Sequence, residues 1–336
     1  MFINVESLIL KSLLIYTYYK KIIYSDFVSS GTFSSIESRD MNTDDCRTSA
    51  KEFKEELGEL LRNPEFGCVG QNLKINSVQV GIRDEARHTT RMLGKIKIIV
   101  YEDEQELIAD AANELFNLLR VKPNAVLGLA TGGTFEPFYA YVTSHYRDKG
   151  VSFREVTAFN LDEYVGIPES DEQSYHHYMW ANLYSKIDMK RKNVFIPNGN
   201  APNLREEVIN YERMIKERGG IDLQYLSIGR NGHIGFNEPY TPFSSKTHVV
   251  GLTESTLEAN SKYFVGRNMP TRAITMGIRT ITEARRIILI ATGDSKRSII
   301  DRLLKSGETE KIPATALMHH GDTTIMLDSK AGASLL

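Results

Sequence analysis

From Lys95 onward the apolar positions gather into short runs rich in Val and Ile. They are KIKIIVY (95–101), AVLGLA (125–130), EVTAFNL (155–161), DLQYLSIG (222–229), AITMGI (273–278), RRIILIATG (285–293) and TTIMLD (323–328). Near-continuous apolar runs flanked by glycine are what strands buried on both faces look like. Stretches with a helical period separate them, at 103–120, 135–149, 203–218, 253–264 and 295–305. The alternation predicts an α/β fold with a Rossmann-like open, mostly parallel sheet and helices on both faces. Ligands of such sheets sit outside the carboxyl ends of the strands, so the residues that follow each strand carry the functional information.

Ahead of Met92 the pattern is different. Residues 1–24 are apolar and aromatic, but Glu6, Lys11, Lys20 and Lys21 interrupt them, and no run reaches the ~18 residues of a membrane span. A basic start and a small-residue cleavage site are lacking, which disfavours a secretory leader, and the absence of Arg disfavours a mitochondrial one. Residues 25–91 are polar and weakly periodic, with one short amphipathic stretch at 51–61 that Gly58 weakens. The expected organisation is an accessory or poorly ordered extension over 1–91 and a catalytic domain over 92–336.

Composition narrows the function. Lys and Arg number 41 against 43 Asp and Glu, a formal charge of -2. A chain without a basic surplus is a poor nucleic-acid binder, so any anion must be caught by a few placed groups. The two cysteines, Cys46 and Cys68, make neither a disulfide framework nor a zinc spacing. A reducing, cytoplasmic setting and a site without metal are the expectation.

Four loops at strand ends hold the candidate chemistry. Thr131-Gly132-Gly133-Thr134 joins a strand to a helix. Paired glycines let the backbone approach an anion and the helix start offers free N–H groups, although a plain tight turn has the same look. Asp162 and Glu163 end the run EVTAFNL. A carboxylate there suits proton transfer between adjacent carbons, and an N-cap is the plainer alternative. His233 lies in the glycine-lined GRNGHIGFNEP (229–239), five residues before Glu238. An imidazole oriented by a carboxylate is a proton-transfer pair. Lys296 follows RRIILIATG and reads either as a phosphate contact or as a solvated surface charge. The pairs His176-His177 and His319-His320 lack metal-site spacing and read as surface or interface residues. Trp180, in SYHHYMWANLY, reads as core or lid packing.

Taken together, GLATGGT (128–134), FNLDEYVG (159–166), NGNAP (198–202), GRNGHIGFNEP (229–239), EANSKYF (258–264) and TGDSK (292–296) resemble the glucosamine-6-phosphate deaminases, in order and spacing, from about Lys95 to Leu336. The resemblance implies conversion of glucosamine 6-phosphate and water to fructose 6-phosphate and ammonia, in amino-sugar catabolism, with no metal and no organic cofactor. By the same resemblance Asp162 is the base that moves a proton between C2 and C1. His233 assists ring opening, with Glu238 and Asn231 orienting it. Thr131, Gly132, Gly133, Thr134, Lys262 and Lys296 hold the phosphate, and a segment from about Tyr240 to Phe264 matches the family's lid.

Some positions depart from the family's common pattern. Asn231 stands where many members have Asp, and adds no negative charge beside His233. Lys262 stands where Arg is frequent, and loses the bidentate fork. Thr247-His248-Val249-Val250 lacks the basic pair of the allosteric, hexameric branch, so the expectation is a constitutive monomer or small homo-oligomer binding a small amino-sugar phosphate, with no nucleic-acid or membrane partner. The rival readings are a 6-phosphogluconolactonase-like hydrolase of the same fold, a deaminase for the galactosamine epimer, and a sugar-phosphate-sensing protein without turnover. The lactonase would need no base at Asp162. A sensor usually loses a catalytic residue, whereas Asp162, His233 and Glu238 are all present.

Overall fold

A computed structural model describes residues 88–336; the stretch 51–61 and nearly all of the extension lie outside the described residues. The chain runs β1 His88–Leu93, β2 Ile96–Tyr101, α1 Glu104–Val121, β3 Val126–Leu129, α2 Phe135–His145, β4 Thr157–Asn160, β5 Asp162–Tyr164, α3 Tyr175–Asn182 and β6 Val194–Phe195. It continues with α4 Leu204–Glu217, β7 Leu223–Ser227, β8 His248–Gly251, α5 Glu254–Ser261, β9 Arg272–Thr275, α6 Ile278–Thr282, β10 Arg286–Ala291, α7 Arg297–Lys305 and β11 Thr323–Asp328. Met92 falls inside β1, so the sheet begins ahead of the division that composition suggests.

Eight strands form one sheet in the order β1-β2-β11-β10-β7-β3-β4-β6. Every pairing is parallel except β1 with β2. All residues of β3, β4 and β11 are buried, so both faces of the sheet are covered, as the apolar runs require. Helix α1 shows how the polar pattern sets an element. Asp103 accepts from the Gln105 amide at 2.8 Å as its N-cap, Glu104 and Glu106 sit at the positive end of the dipole, and Leu107, Ile108, Ala111, Leu115, Phe116 and Leu119 form one buried stripe. On β3, Gly128 is fixed by its neighbour, because a Cβ there would lie 2.0 Å from Gln224 Oε1.

The run AITMGI behaves differently from the other strands. Its first half joins β9, which pairs antiparallel with β5 and β8 in a separate three-stranded sheet. Beyond Gly277 the chain turns into α6. Periodicity reports burial and not the partner, so it cannot tell a strand of the second sheet from one of the first. The second sheet has a consequence for the site: after Asn160 the chain leaves the main sheet and passes directly into β5, which carries Asp162 at its first position.

Candidate active site

The carboxyl ends of β3, β4, β7 and β10 open onto a cavity of about 250 Å³. The structure brings Thr131, Gly132, Gly133, Thr134, Asp162, His233 and Lys296 together around it. These residues lie up to 165 positions apart in the chain (131 to 296) and meet because their strands are parallel.

Asp162 is 6% exposed, and none of its oxygens accepts a hydrogen bond among the described residues. Burial, with the charge of adjacent Glu163, pushes its carboxyl from 3.8 to about 8. Glu163 points the other way. Its Oε1 accepts from the amides of Tyr164 at 2.8 Å and Tyr175 at 2.9 Å, and its Oε2 accepts from the His176 amide at 2.8 Å. The two readings of the acidic pair are thus divided between its members. Glu163 caps the start of α3, and Asp162 is left facing the cavity without a partner. Burial still outweighs the three amide donors and lifts Glu163 to about 7.

His233 reaches the cavity because of the glycines around it. A Cβ on Gly229 would lie 2.2 Å from the His233 ring, and Gly232 and Gly235 take φ of 92° and 58°, which L side chains rarely adopt. A Cβ on Gly235 would also stand 3.6 Å from Asp162 Oδ2, which places the histidine loop against the aspartate. Glu238 lies behind the ring, with Oε2 3.5 Å from His233 Nδ1. At that separation no hydrogen bond is formed, and Nδ1 has no hydrogen-bond partner among the described residues. Asn231 Nδ2 donates to the same Oε2 at 2.8 Å, its Oδ1 accepts from the His233 amide at 3.2 Å, and Thr256 Oγ1 donates to Glu238 Oε1. Burial alone would raise the Glu238 carboxyl. The contact with His233 and the hydrogen bonds from Thr256 and Asn231 outweigh it and hold it down at about 2.

Lys296 is anchored by donating from Nζ to the Ile228 carbonyl at 2.6 Å. Burial, aided by the nearby positive charge of Arg230, lowers its ammonium below the usual range. Lys262 is not brought in. It is exposed at the end of α5, with Nζ 4.8 Å from the centre of the Tyr263 ring, and the adjacent Asn260, Tyr263 and Phe264 line the wall instead.

The sequence patterns did not single out Gln173, Ser174, Tyr175 and Tyr178, which complete the wall. Tyr178 donates to the Gly132 carbonyl at 2.9 Å and so fixes the glycine turn. Tyr175 packs parallel to Phe236 with ring centres 6.0 Å apart. One signal was available: Ser174, an N-cap accepting from the His177 amide, marks a helix start just after the acidic loop. Among the described residues no group of His, Cys, Asp and Glu is placed to hold a metal.

A family model described as glucosamine-6-phosphate isomerases/6-phosphogluconolactonase matches residues 102–326. The glucosamine-6-phosphate deaminase of Shouchella clausii (strain KSM-K16) is 46% identical over 239 residues, 71% of this chain and 97% of that one. The deaminase of Clostridium botulinum (strain Alaska E43 / Type E3) is 45% identical over 242 residues, 72% of this chain and 97% of that one. Among solved structures, a monomeric glucosamine-6-phosphate deaminase superposes with a TM-score of 0.69 at 44% identity, over 71% of this chain and 99% of that chain. The 6-phosphogluconolactonase from Trypanosoma cruzi superposes with a TM-score of 0.59 at 20% identity, over 73% and 98% respectively, a likeness of fold.

Proposed function

The chain belongs to the family of glucosamine-6-phosphate isomerases and 6-phosphogluconolactonases, and we propose that its cavity converts glucosamine 6-phosphate and water to fructose 6-phosphate and ammonia. One observation carries the reading. Asp162 is a buried carboxylate without a hydrogen-bond partner among the described residues, and it lines the same cavity as the glycine turn, Lys296 and His233.

In this reading the Thr131–Thr134 turn and Lys296 hold the phosphate, and their contacts fix the sugar so that C1 and C2 lie beside Asp162. His233, backed by Glu238 and Asn231, moves the proton needed to open the pyranose ring. Asp162 then takes the proton from C2 and returns it to C1, converting the aldose into an imine at C2. Water adds to that imine and ammonia leaves. A base raised to about 8 is strong enough to abstract a carbon-bound proton and still partly ionised near neutrality. A lactone hydrolysis would need no such base. Lys262 belongs to the phosphate set only if α5 shifts, since its side chain lies outside the cavity wall. Residues 92–336 act as the catalytic domain, as a monomer or small homo-oligomer in the cytoplasm; the likeness to a monomeric deaminase supports the first. Among the described residues no helix is long and apolar enough to cross a membrane.

The test is product analysis with two substrates. Glucosamine 6-phosphate is expected to give ammonia and fructose 6-phosphate in equal amounts, and 6-phosphogluconolactone to hydrolyse no faster than without protein. Lactone hydrolysis without ammonia release overturns the proposal.

A further inference from the structure

Glu238 is gripped on both oxygens, and the two grips come from different parts of the chain. Oε2 is held from its own loop by Asn231 Nδ2 at 2.8 Å. Oε1 is held by the hydroxyl of Thr256, a residue 2% exposed on α5. Thr256 is itself part of a short relay, since Thr253 Oγ1 donates to Thr256 Oγ1 at 3.3 Å. The hydroxyl therefore has its proton directed toward the carboxylate, and Glu238 is an acceptor for it. The same stretch of chain that carries Thr256 also builds the wall of the cavity, through Asn260, Tyr263 and Phe264.

From this arrangement we infer that Thr256 is a positioning residue for proton transfer: it couples the docking of α5 over the cavity to the orientation of Glu238, and through Glu238 to His233. Only the Glu238–His233 separation of 3.5 Å links the carboxylate to the ring, so a small rotation of Glu238 decides whether the imidazole is held for ring opening. Thr256 fixes that rotation from the helix whose Asn260 lines the cavity. Beyond accepting from Thr253, the hydroxyl makes no other hydrogen bond among the described residues. The β-branched carbon skeleton would fill the same space without it, which separates the packing role from the hydrogen-bonding one.

The inference rests on the deamination reading, and the test keeps the two apart by comparing Thr256→Val with Thr256→Ser. Valine keeps the shape and removes the donor; serine keeps the donor and trims a methyl. Thr256→Val is expected to lower kcat for ammonia release roughly tenfold with KM within about twofold, part of the hundred- to ten-thousand-fold that a positioned proton-transfer group supplies. Thr256→Ser is expected to stay within about threefold of wild type on the same scale. Equal losses in both variants, or a loss confined to KM, would overturn the inference while leaving the function standing. If the wild type releases no ammonia, the proposed function fails. The side-chain ¹⁵N chemical shifts of His233, recorded without substrate, then decide the inference alone. They are expected to move in Thr256→Val and to match wild type in Thr256→Ser, and unchanged shifts in Thr256→Val overturn it.

Discussion

Asp162 is a residue whose ionisation works against folding, and replacing it by Asn should therefore make the protein more stable in a pH-dependent way. The carboxyl is 6% exposed and rises from 3.8 to about 8 in the folded chain. Its folded value lies above its unfolded one, so the neutral acid is the form that folding favours. Its contribution is fully present below pH 3.8 and is lost as pH climbs through about 8. At about 1.4 kcal/mol per unit, a shift of about four units sets a ceiling of about 6 kcal/mol. Water entering the open cavity screens part of this, and about 2–3 kcal/mol at pH 8 is the working expectation. Asn has nearly the shape of the neutral acid and cannot ionise. For a domain of this size about 2–4 °C accompany each kcal/mol, so Asp162→Asn should melt about 5–10 °C above wild type at pH 8. Near pH 4 the two should melt together. The assay is a melting curve followed by circular dichroism at pH 4, 6 and 8 for both proteins. Glu163, which titrates in the same window, is present in both proteins, and the part of the Asp162 shift that its charge supplies is included in the difference. A difference that is the same at every pH, or a wild type as stable as the variant at pH 8, would refute the reasoning.

The kinetic pH profile should share that origin: kcat/KM for glucosamine 6-phosphate is expected to fall as pH drops through about 8, because the free protein's Asp162 becomes protonated and ceases to be a base. A flat profile between pH 6 and 8 would count against it. Lys296→Met should raise KM by roughly tenfold or more and change kcat less, since the ammonium contributes to phosphate binding in ground and transition states alike; steady-state kinetics reads both. Gly229→Ala should abolish most turnover with the fold retained, because the new Cβ would lie 2.2 Å from the His233 ring and must displace it. Circular dichroism unchanged beside a loss of about a hundredfold or more in kcat is the expected pair of results.

Strands β2, β3, β4, β7, β10 and β11 of the main sheet were legible because they are largely buried, as in AVLGLA followed by Thr131–Thr134, whereas the edge strands β1 and β6 are mostly exposed or half-buried and left no apolar run to read. The cavity residues were legible for the same reason, since parallel strands deliver their carboxyl ends to one edge. What stayed hidden depends on pairings that no local pattern records. The run 273–278 looks like any other apolar strand, yet β9 pairs with β5 and β8. Which of the two adjacent carboxylates faces the cavity is settled by the helix start at Tyr175, whose amide binds Glu163. Thr256 is an ordinary polar residue in a helical stretch until folding sets it against Glu238, 18 positions earlier in the chain. Lys262 illustrates the opposite case: its motif is present, but the side chain lies on the outside of the wall that its neighbours form.

The central claim, that Asp162 performs the isomerisation in this cavity, is tested most directly by wild type beside Asp162→Asn. Ammonia and fructose 6-phosphate are followed together, and glucosamine 6-phosphate binding is measured by calorimetry on the same preparations. Stoichiometric products from wild type, with turnover lost in the variant by a thousandfold or so and binding retained, are the predicted result. An Asp162→Asn variant that still releases ammonia at a wild-type rate would contradict it.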